Sequence, residues 1–315
     1  MKQFFRKIIK SRLYLAAIFY ICCNGLIHLK RWFKNYVTKS GTTHQAFSLQ
    51  ESMQYIKDVF SDYQKVSGKD RFVGKVAEIG PGDSNGVALM FLAYGASHVD
   101  LADRFYSLRD IAQQEQITQR LIAEQPILKG IYPNLAQCCV RHYGEQACGE
   151  KFFDNNNGYN FIISRSVLEH VDDPEIVLKK AYDALSPGGM LINKVDLRDH
   201  GMVTPFGYKL KFLEFPKLIY RLMTYGSGFP NRFLFHRYKE VLTKLDPAVK
   251  FYVAGLYGVE DNLDQIYAIE EIPNIIKNKA IEFVKVYKNK FAKEFQNVSL
   301  DDLIISSFFF VCQKN

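Results

Sequence analysis

Tryptophan is almost absent. The 315-residue chain has one Trp, although 25 Phe and 19 Tyr raise the aromatic share to 14%. Its six cysteines include no C-x-x-C pair, and no Cys/His group has zinc-ligand spacing, so no metal centre is expected. The adjacent pairs Cys22, Cys23 and Cys138, Cys139, with the singles Cys148 and Cys312, do not form a disulfide framework for a chain this long. Reduced thiols in a cytoplasmic protein are the expectation. Internal repeats and low-complexity stretches are missing. With 48% hydrophobic and 23% charged residues, this excludes a mostly disordered chain, a fibre and a polytopic membrane protein. Acidic side chains are missing from residues 1–40, which hold nine basic ones: Lys2, Arg6, Lys7, Lys10, Arg12, Lys30, Arg31, Lys34 and Lys39. Residues 41–315 carry 32 basic against 33 acidic side chains, so the net charge of +8 belongs to the N-terminus. An electroneutral body excludes a nucleic-acid footprint over the whole domain.

Residues 13–29 have no formal charge when His28 is neutral. As a helix they reach about 26 Å, just short of a bilayer core of about 30 Å. The basic HLKRWFK that follows supplies no signal-peptide cleavage site. A spanning helix with a cytoplasmic body would leave five basic residues outside, which positive-inside asymmetry disfavours. Two readings stay open. The helix lies on an anionic membrane surface, with basic flanks on headgroups and Trp32 in the interface, or it packs against the body or a partner. The first makes the protein cytoplasmic and peripheral on the inner face of the membrane.

After a polar break at Gly41–His44, residues 45–66 have helical spacing and form an N-terminal cap over 41–72. From Val73 onward short apolar runs alternate with helices. Strands are expected at 73–79, 98–102, 137–142, 159–164 and 190–195, and helices at 86–94, 107–124 and 174–185. The last strand is entered through a Pro187-Gly188-Gly189 turn. Continuous apolar strands separated by helices indicate an α/β, doubly wound, mostly parallel sheet covered on both faces. Residues 201–250 break this pattern and read as a helical insertion over the site.

The richest segment runs from Val76 to Gly86, where a buried strand passes through Gly80-Pro81-Gly82 directly into a helix. Glycines there allow a close approach of backbone to ligand. A dinucleotide fingerprint requires glycine at position 85, but Asn85 is there. Glu78, two residues before Gly80, suits a cationic ligand better than a pyrophosphate. Asp103 ends the second strand, where a carboxylate can take both hydroxyls of a ribose. A nicotinamide oxidoreductase is therefore disfavoured.

Four landmarks in order resemble the class I S-adenosylmethionine-dependent methyltransferases, notably members from sugar and natural-product clusters. They are E-I-G-P-G-D-S (78–84), Asp103, S-V-L-E-H-V-D-D-P (166–174) and L-S-P-G-G-M-L-I (185–192). The resemblance implies a Rossmann-like sheet of seven strands, the last two antiparallel at about 249–254 and 306–312. It implies that Gly80, Pro81 and Gly82 cradle the methionine part of S-adenosylmethionine and that Asp103, beside Arg104, holds the ribose. Adenine would lie near Gly144 and Glu145, Ser164, Arg165 and Ser166 would line the floor, and His170 would touch the donor. Ser84 stands where many members have a third glycine.

A hydroxyl acceptor must lose a proton, whereas an amine needs less help. Past the fifth strand, His200 is the candidate base, oriented by Asp196 or Asp199. In the insertion, Asn231, Arg232 and Tyr238 resemble a stretch found in similar sugar methyltransferases. Ten aromatics and a net positive charge between Phe206 and Tyr238 suggest a small-molecule or glycan-type acceptor, possibly anionic, gripped by Arg232. The intact glycine loop and acids argue against a non-catalytic scaffold.

Overall fold

The computed structural model describes residues 13–32, 37–38, 42–203, 208–259 and 263–315. Lys2, Arg6, Lys7, Lys10, Arg12, Lys34, Lys39 and Phe206 lie outside the described residues, as do the side chains of Arg31 and Trp32. Apolar runs form strands β1 (Gly74–Ile79), β2 (Ala96–Asp103), β3 (Cys139–Tyr143), β4 (Tyr159–Arg165), β5 (Leu185–Asp196), β6 (Lys250–Leu256), β7 (Tyr267–Ala268) and β8 (Ile305–Gln313). They make one sheet in the order β3-β2-β1-β4-β5-β8-β6-β7. The first five are parallel, and β8 runs antiparallel between β5 and β6. The antiparallel pair sits where it was expected. The sheet has eight strands rather than seven, because the two-residue β7 extends its edge.

Alternation along the strands sends residues to two cores. Phe309 faces one and Phe308 and Phe310 the other. Helices α1 (Leu13–Trp32), α2 (Leu49–Ser67), α3 (Gly86–Ala93), α4 (Ile111–Glu124), α5 (Pro174–Ala184), α6 (Lys217–Thr224), α7 (Phe235–Leu245) and α8 (Asn274–Lys288) flank the sheet. Helix α2 starts with a capping box between Ser48 and Glu51 and stops at Gly68, whose φ is +64°. Its Met53, Ile56, Phe60 and Tyr63 pack with α3 and α4 over one face. Helix α5, capped by Asp173 with Pro174 in its first turn, packs over the other face with α7 and α8. The expected insertion supplies α6 and α7. A second excursion, residues 257–304, carries β7 and α8, and no sequence pattern had singled it out. The strand order reverses between β1 and β4, which opens a crevice at the carboxyl ends of the strands.

Pro187-Gly188-Gly189 is not a turn before the fifth strand but part of it. Gly188 N–H donates to Lys314 O at 2.7 Å, and Lys314 N–H returns a bond to Gly189 O at 2.9 Å. A Cβ on Gly189 would come within 2.8 Å of Tyr159 O and 2.9 Å of Ser186 O, both backbone atoms. Gly189→Ala is therefore expected to cost about 1–3 kcal/mol, read as a lower urea midpoint. Gly130→Ala, in a helical turn where a Cβ would meet nothing within 4 Å, should hold or slightly raise the midpoint.

Candidate active site

The strand–glycine–helix turn holds its shape through one residue that the sequence reading missed. Gly80 and Gly82 have φ of +70° and +62°. A Cβ at Gly80 would lie 2.3 Å from a Val167 methyl carbon, so the loop after β4 rests directly on this glycine. Arg141, in the middle of β3, donates to the carbonyls of Gly82 (2.9 Å) and Ser84 and to the Asn85 side chain. Its only sequence signal was a cation inside a weak strand. The Ser84 hydroxyl accepts from Gly86 N–H at 3.0 Å, so Ser84 fits where a third glycine is common.

Above this loop opens a cavity of about 350 Å³. Gly80, Gly82, Asp103, Ser166, His170 and His200 are among its lining residues. Ser166 and His200 are the non-glycine residues with positive φ among those described, +55° and +47°. Such strain persists only where the surroundings enforce it, and it concentrates at functional sites.

Asp103 sits at the cavity wall, its Oδ1 accepting from Phe105 N–H at 2.9 Å. Burial raises its pKa to about 6, against the opposing effects of that bond and of Arg141. Glu78 does not line the cavity. It points to the α2 side of β1, in line with Val76, where burial raises its pKa to about 7 although Arg141 favours its charge. Arg104 lines the cavity, but its guanidinium is engaged: it donates to Asp172 at 2.9 Å and lies 3.7 Å from both Glu150 and Glu145. Glu145 itself is not at the wall, and Ala147–Glu150 take that place.

The expected floor also needs correction. Ser164 is buried and donates to Asn193. Arg165 emerges on the opposite face of β4, 2.8 Å from Asp62, because strand side chains alternate. Only Ser166 reaches the cavity. His170 does line it. Its Nδ1 lies 2.9 Å from Gly228 O, so this nitrogen carries the proton, and burial lowers the pKa to about 4. The His170 and His200 rings meet edge to face at 4.8 Å. Asp196 is held by Arg198, whose Nε donates at 2.7 Å, and Asp199 accepts from the amides of Gly201 (3.1 Å) and Val203 (2.7 Å). The carboxylate facing the His200 imidazole is instead Glu169, 3.8 Å from Nε2. Its signal was the acid preceding His170.

The insertion residues are structural. Asn231 donates from its side chain to Leu168 O and Val171 O, and from its N–H to Glu169 O. Arg232, its side chain only 6% exposed, ion-pairs with Glu294 at 2.6 Å, donates to Phe215 O and stacks over Tyr220 and Phe295. Both arms expected to grip an acceptor are thus used inside the protein. Tyr238 is buried against Phe233 and Phe308.

The profile of a methyltransferase domain matches residues 49–235, more than half of the chain. The chain belongs to the methyltransferase-domain family. No curated protein matches the sequence. Among solved structures, it is similar to Haemonchus contortus phosphoethanolamine N-methyltransferase 2 in complex with S-adenosyl-L-methionine, with 14% identity and a TM-score of 0.43. That match covers 82% of this chain and 52% of the other, so the chain spans about half the length of that protein. It is similar too to the YcgJ protein of Bacillus subtilis, with 11% identity, a TM-score of 0.41, and 82% and 97% of the two chains covered. An O-methyltransferase family protein from Burkholderia thailandensis matches at 11% identity and a TM-score of 0.36, with 62% and 52% covered.

The methyltransferase's own residues fit the donor: a bare glycine turn, a carboxylate at the end of β2 and a walled cavity. Donor hydroxyls that donate to Asp103 favour its ionised form. Donor affinity should therefore fall as pH drops below about 6, and Asp103→Asn should flatten that profile while weakening binding about tenfold or more. Calorimetric titration with S-adenosylmethionine between pH 5 and 8 checks both. For the free protein the sign is opposite. A raised carboxyl pKa means that Asp103 favours folding most below about 4, and that this contribution is lost as pH rises through about 6.

Proposed function

We propose that this methyltransferase transfers a methyl group to a hydroxyl of a small acceptor. The acceptor enters between the 166–170 loop, His200 and Ser227–Gly228. The observation that carries this reading is the pairing of the enforced backbones of Ser166 and His200 with a carboxylate and two imidazoles beside the donor cavity. A free amine would need no such group. When bound, the donor supplies an activated sulfonium methyl. The protein orients the acceptor in line with it and excludes water. Arg232 takes no part, so acceptor charge is not selected there. With methyl-labelled donor and a metabolite extract, label should appear in an O-methyl product. His200→Asn should lower kcat by about 10²-fold or more with donor affinity kept, and the remote Arg232→Lys should leave the acceptor KM unchanged. Label found only on nitrogen would overturn the hydroxyl assignment.

We infer further that the enzyme works on an anionic membrane surface. Residues Leu13–Lys30 are long and apolar enough to cross a bilayer. However, Asn24 is buried and donates to Leu222 O and Tyr225 O, and His28 contacts Tyr225 O at 2.8 Å, which supports a helix lying flat on α6. Ala16, Ala17 and Tyr20 face the body, while Leu15, Ile18, Leu26 and Leu29 form an exposed stripe at helical spacing. On α6, Leu218 and Leu222 are exposed beside Lys217 and Arg221. Apolar stripes with basic neighbours and an N-terminus free of acids match an anionic lipid interface. The stripe of α6 ends at Tyr225, two residues before the cavity wall at Ser227. This favours an acceptor with an apolar tail. The full-length protein should float with phosphatidylglycerol vesicles at low salt. Leu218→Asp combined with Leu222→Asp should reduce that fraction severalfold while donor affinity persists.

A further inference from the structure

We propose that Glu169, His170 and His200 bind a divalent transition-metal cation on the acceptor side of the donor cavity. One ligand atom from each residue lies within 4.8 Å of the other two. Glu169 is 1% exposed, and neither carboxylate oxygen has a side-chain hydrogen-bond partner among the described residues, although the main-chain N–H groups of Glu169 and Asp196 favour its charge. A buried carboxylate is costly unless a proton or a cation satisfies it.

The surroundings favour a cation. His170 is fixed by the Gly228 carbonyl as the Nδ1–H tautomer, which leaves the Nε2 lone pair as a ligand oriented by a second-shell bond. The amide of Asn231 holds the Glu169 carbonyl at 2.6 Å, and its side chain holds the carbonyls on either side, at Leu168 and Val171. The Asp199 cap on Gly201 and Val203 holds His200 in its left-handed backbone. The three ligands are thus positioned by contacts other than the ion. The His200 side chain is 34% exposed, so the site opens towards the cavity and keeps room for further oxygen ligands.

Two imidazoles and a carboxylate suit Zn²⁺, Mn²⁺, Fe²⁺ or Co²⁺ better than Ca²⁺ or Mg²⁺, which prefer all-oxygen shells. Sequence spacing hid the set because Glu169 and His170 lie on the loop after β4, and His200 comes from the loop after β5. The catalytic role of the ion rests on the hydroxyl reading above, while its binding does not. At this position its charge would lower the pKa of an acceptor hydroxyl. The proton leaves to solvent, and the acceptor oxygen bonds to the methyl carbon as the carbon–sulfur bond breaks, releasing S-adenosylhomocysteine.

The test uses the full-length chain after chelator treatment, titrated with Co²⁺ by visible absorption and with Zn²⁺ by calorimetry. The expected result is one ion per chain. Glu169→Gln and His200→Asn should each weaken binding about tenfold or more. Asparagine tolerates the left-handed backbone at position 200, so that variant keeps the loop. S-adenosylmethionine affinity measured on the same samples should persist and shows that each fold is intact. If Glu169→Gln alone fails to fold, His200→Asn decides. A wild-type chain that binds the donor but no ion overturns the site and leaves Glu169 neutralised by a proton. Ion binding that both folded variants retain overturns the ligand assignment. A wild-type chain that binds the ion but not the donor overturns the methyl-transfer reading and leaves the ion site standing.

Discussion

The loop between β4 and α5 is the element on which the site depends, and Asn231 holds it. Three successive stretches of loop backbone end on this residue: Leu168 O and Val171 O on its amide, and Glu169 O on its N–H. Without those donors the carbonyls would be buried and unmet, so the loop has one arrangement. That arrangement presses Val167 onto Gly80, holds Ser166 at positive φ and brings His170 to the cavity with Glu169 buried next to it. The insertion therefore builds the active site from outside as well as covering it.

A second set of contacts ties the remaining walls to the same loop. Arg104 at the end of β2 reaches Asp172, Glu150 and Glu145. Asp172 also accepts from Gly226 N–H at 2.7 Å, and its own N–H donates to Glu150 at 2.8 Å. One guanidinium thus joins the loops after β2, β3 and β4 to the segment that follows α6. Arg141 does the corresponding work for the glycine turn. Fixed cations support the walls, and burial raises the pKa of the two acids that remain for ligands, Asp103 and Glu169, as it also does for Glu78 away from the cavity. Such acids gain most from a hydrogen-bonding or cationic partner.

The N-terminal helix belongs to the same construction. Its buried Asn24 satisfies carbonyls at the end of α6, and Tyr20 meets Phe229 edge to face at 5.4 Å. Phe229 adjoins Gly228, whose carbonyl fixes His170. Contacts therefore run continuously from the exposed stripe of α1 to an imidazole at the cavity.

The parallel strands, the glycine turn and Asp103 were legible from the sequence alone, because each rests on local spacing: apolar runs of strand length, glycines before a helix, an acid at a strand end; the antiparallel pair followed only from the family resemblance. The helix at 13–29 and the insertion at 201–250 were legible as departures from that pattern. What each polar residue of the site touches was not. Arg165 alternates away from the cavity, Arg232 turns inward to Glu294, Asp196 and Asp199 serve their own loop, and Glu169 faces His200 from another strand's end. Those outcomes depend on pairs up to 103 residues apart and on which buried charge finds a partner first. Local spacing determines the elements, but only the packing of β4, β5 and the insertion around one crevice decides which side chains remain available for chemistry.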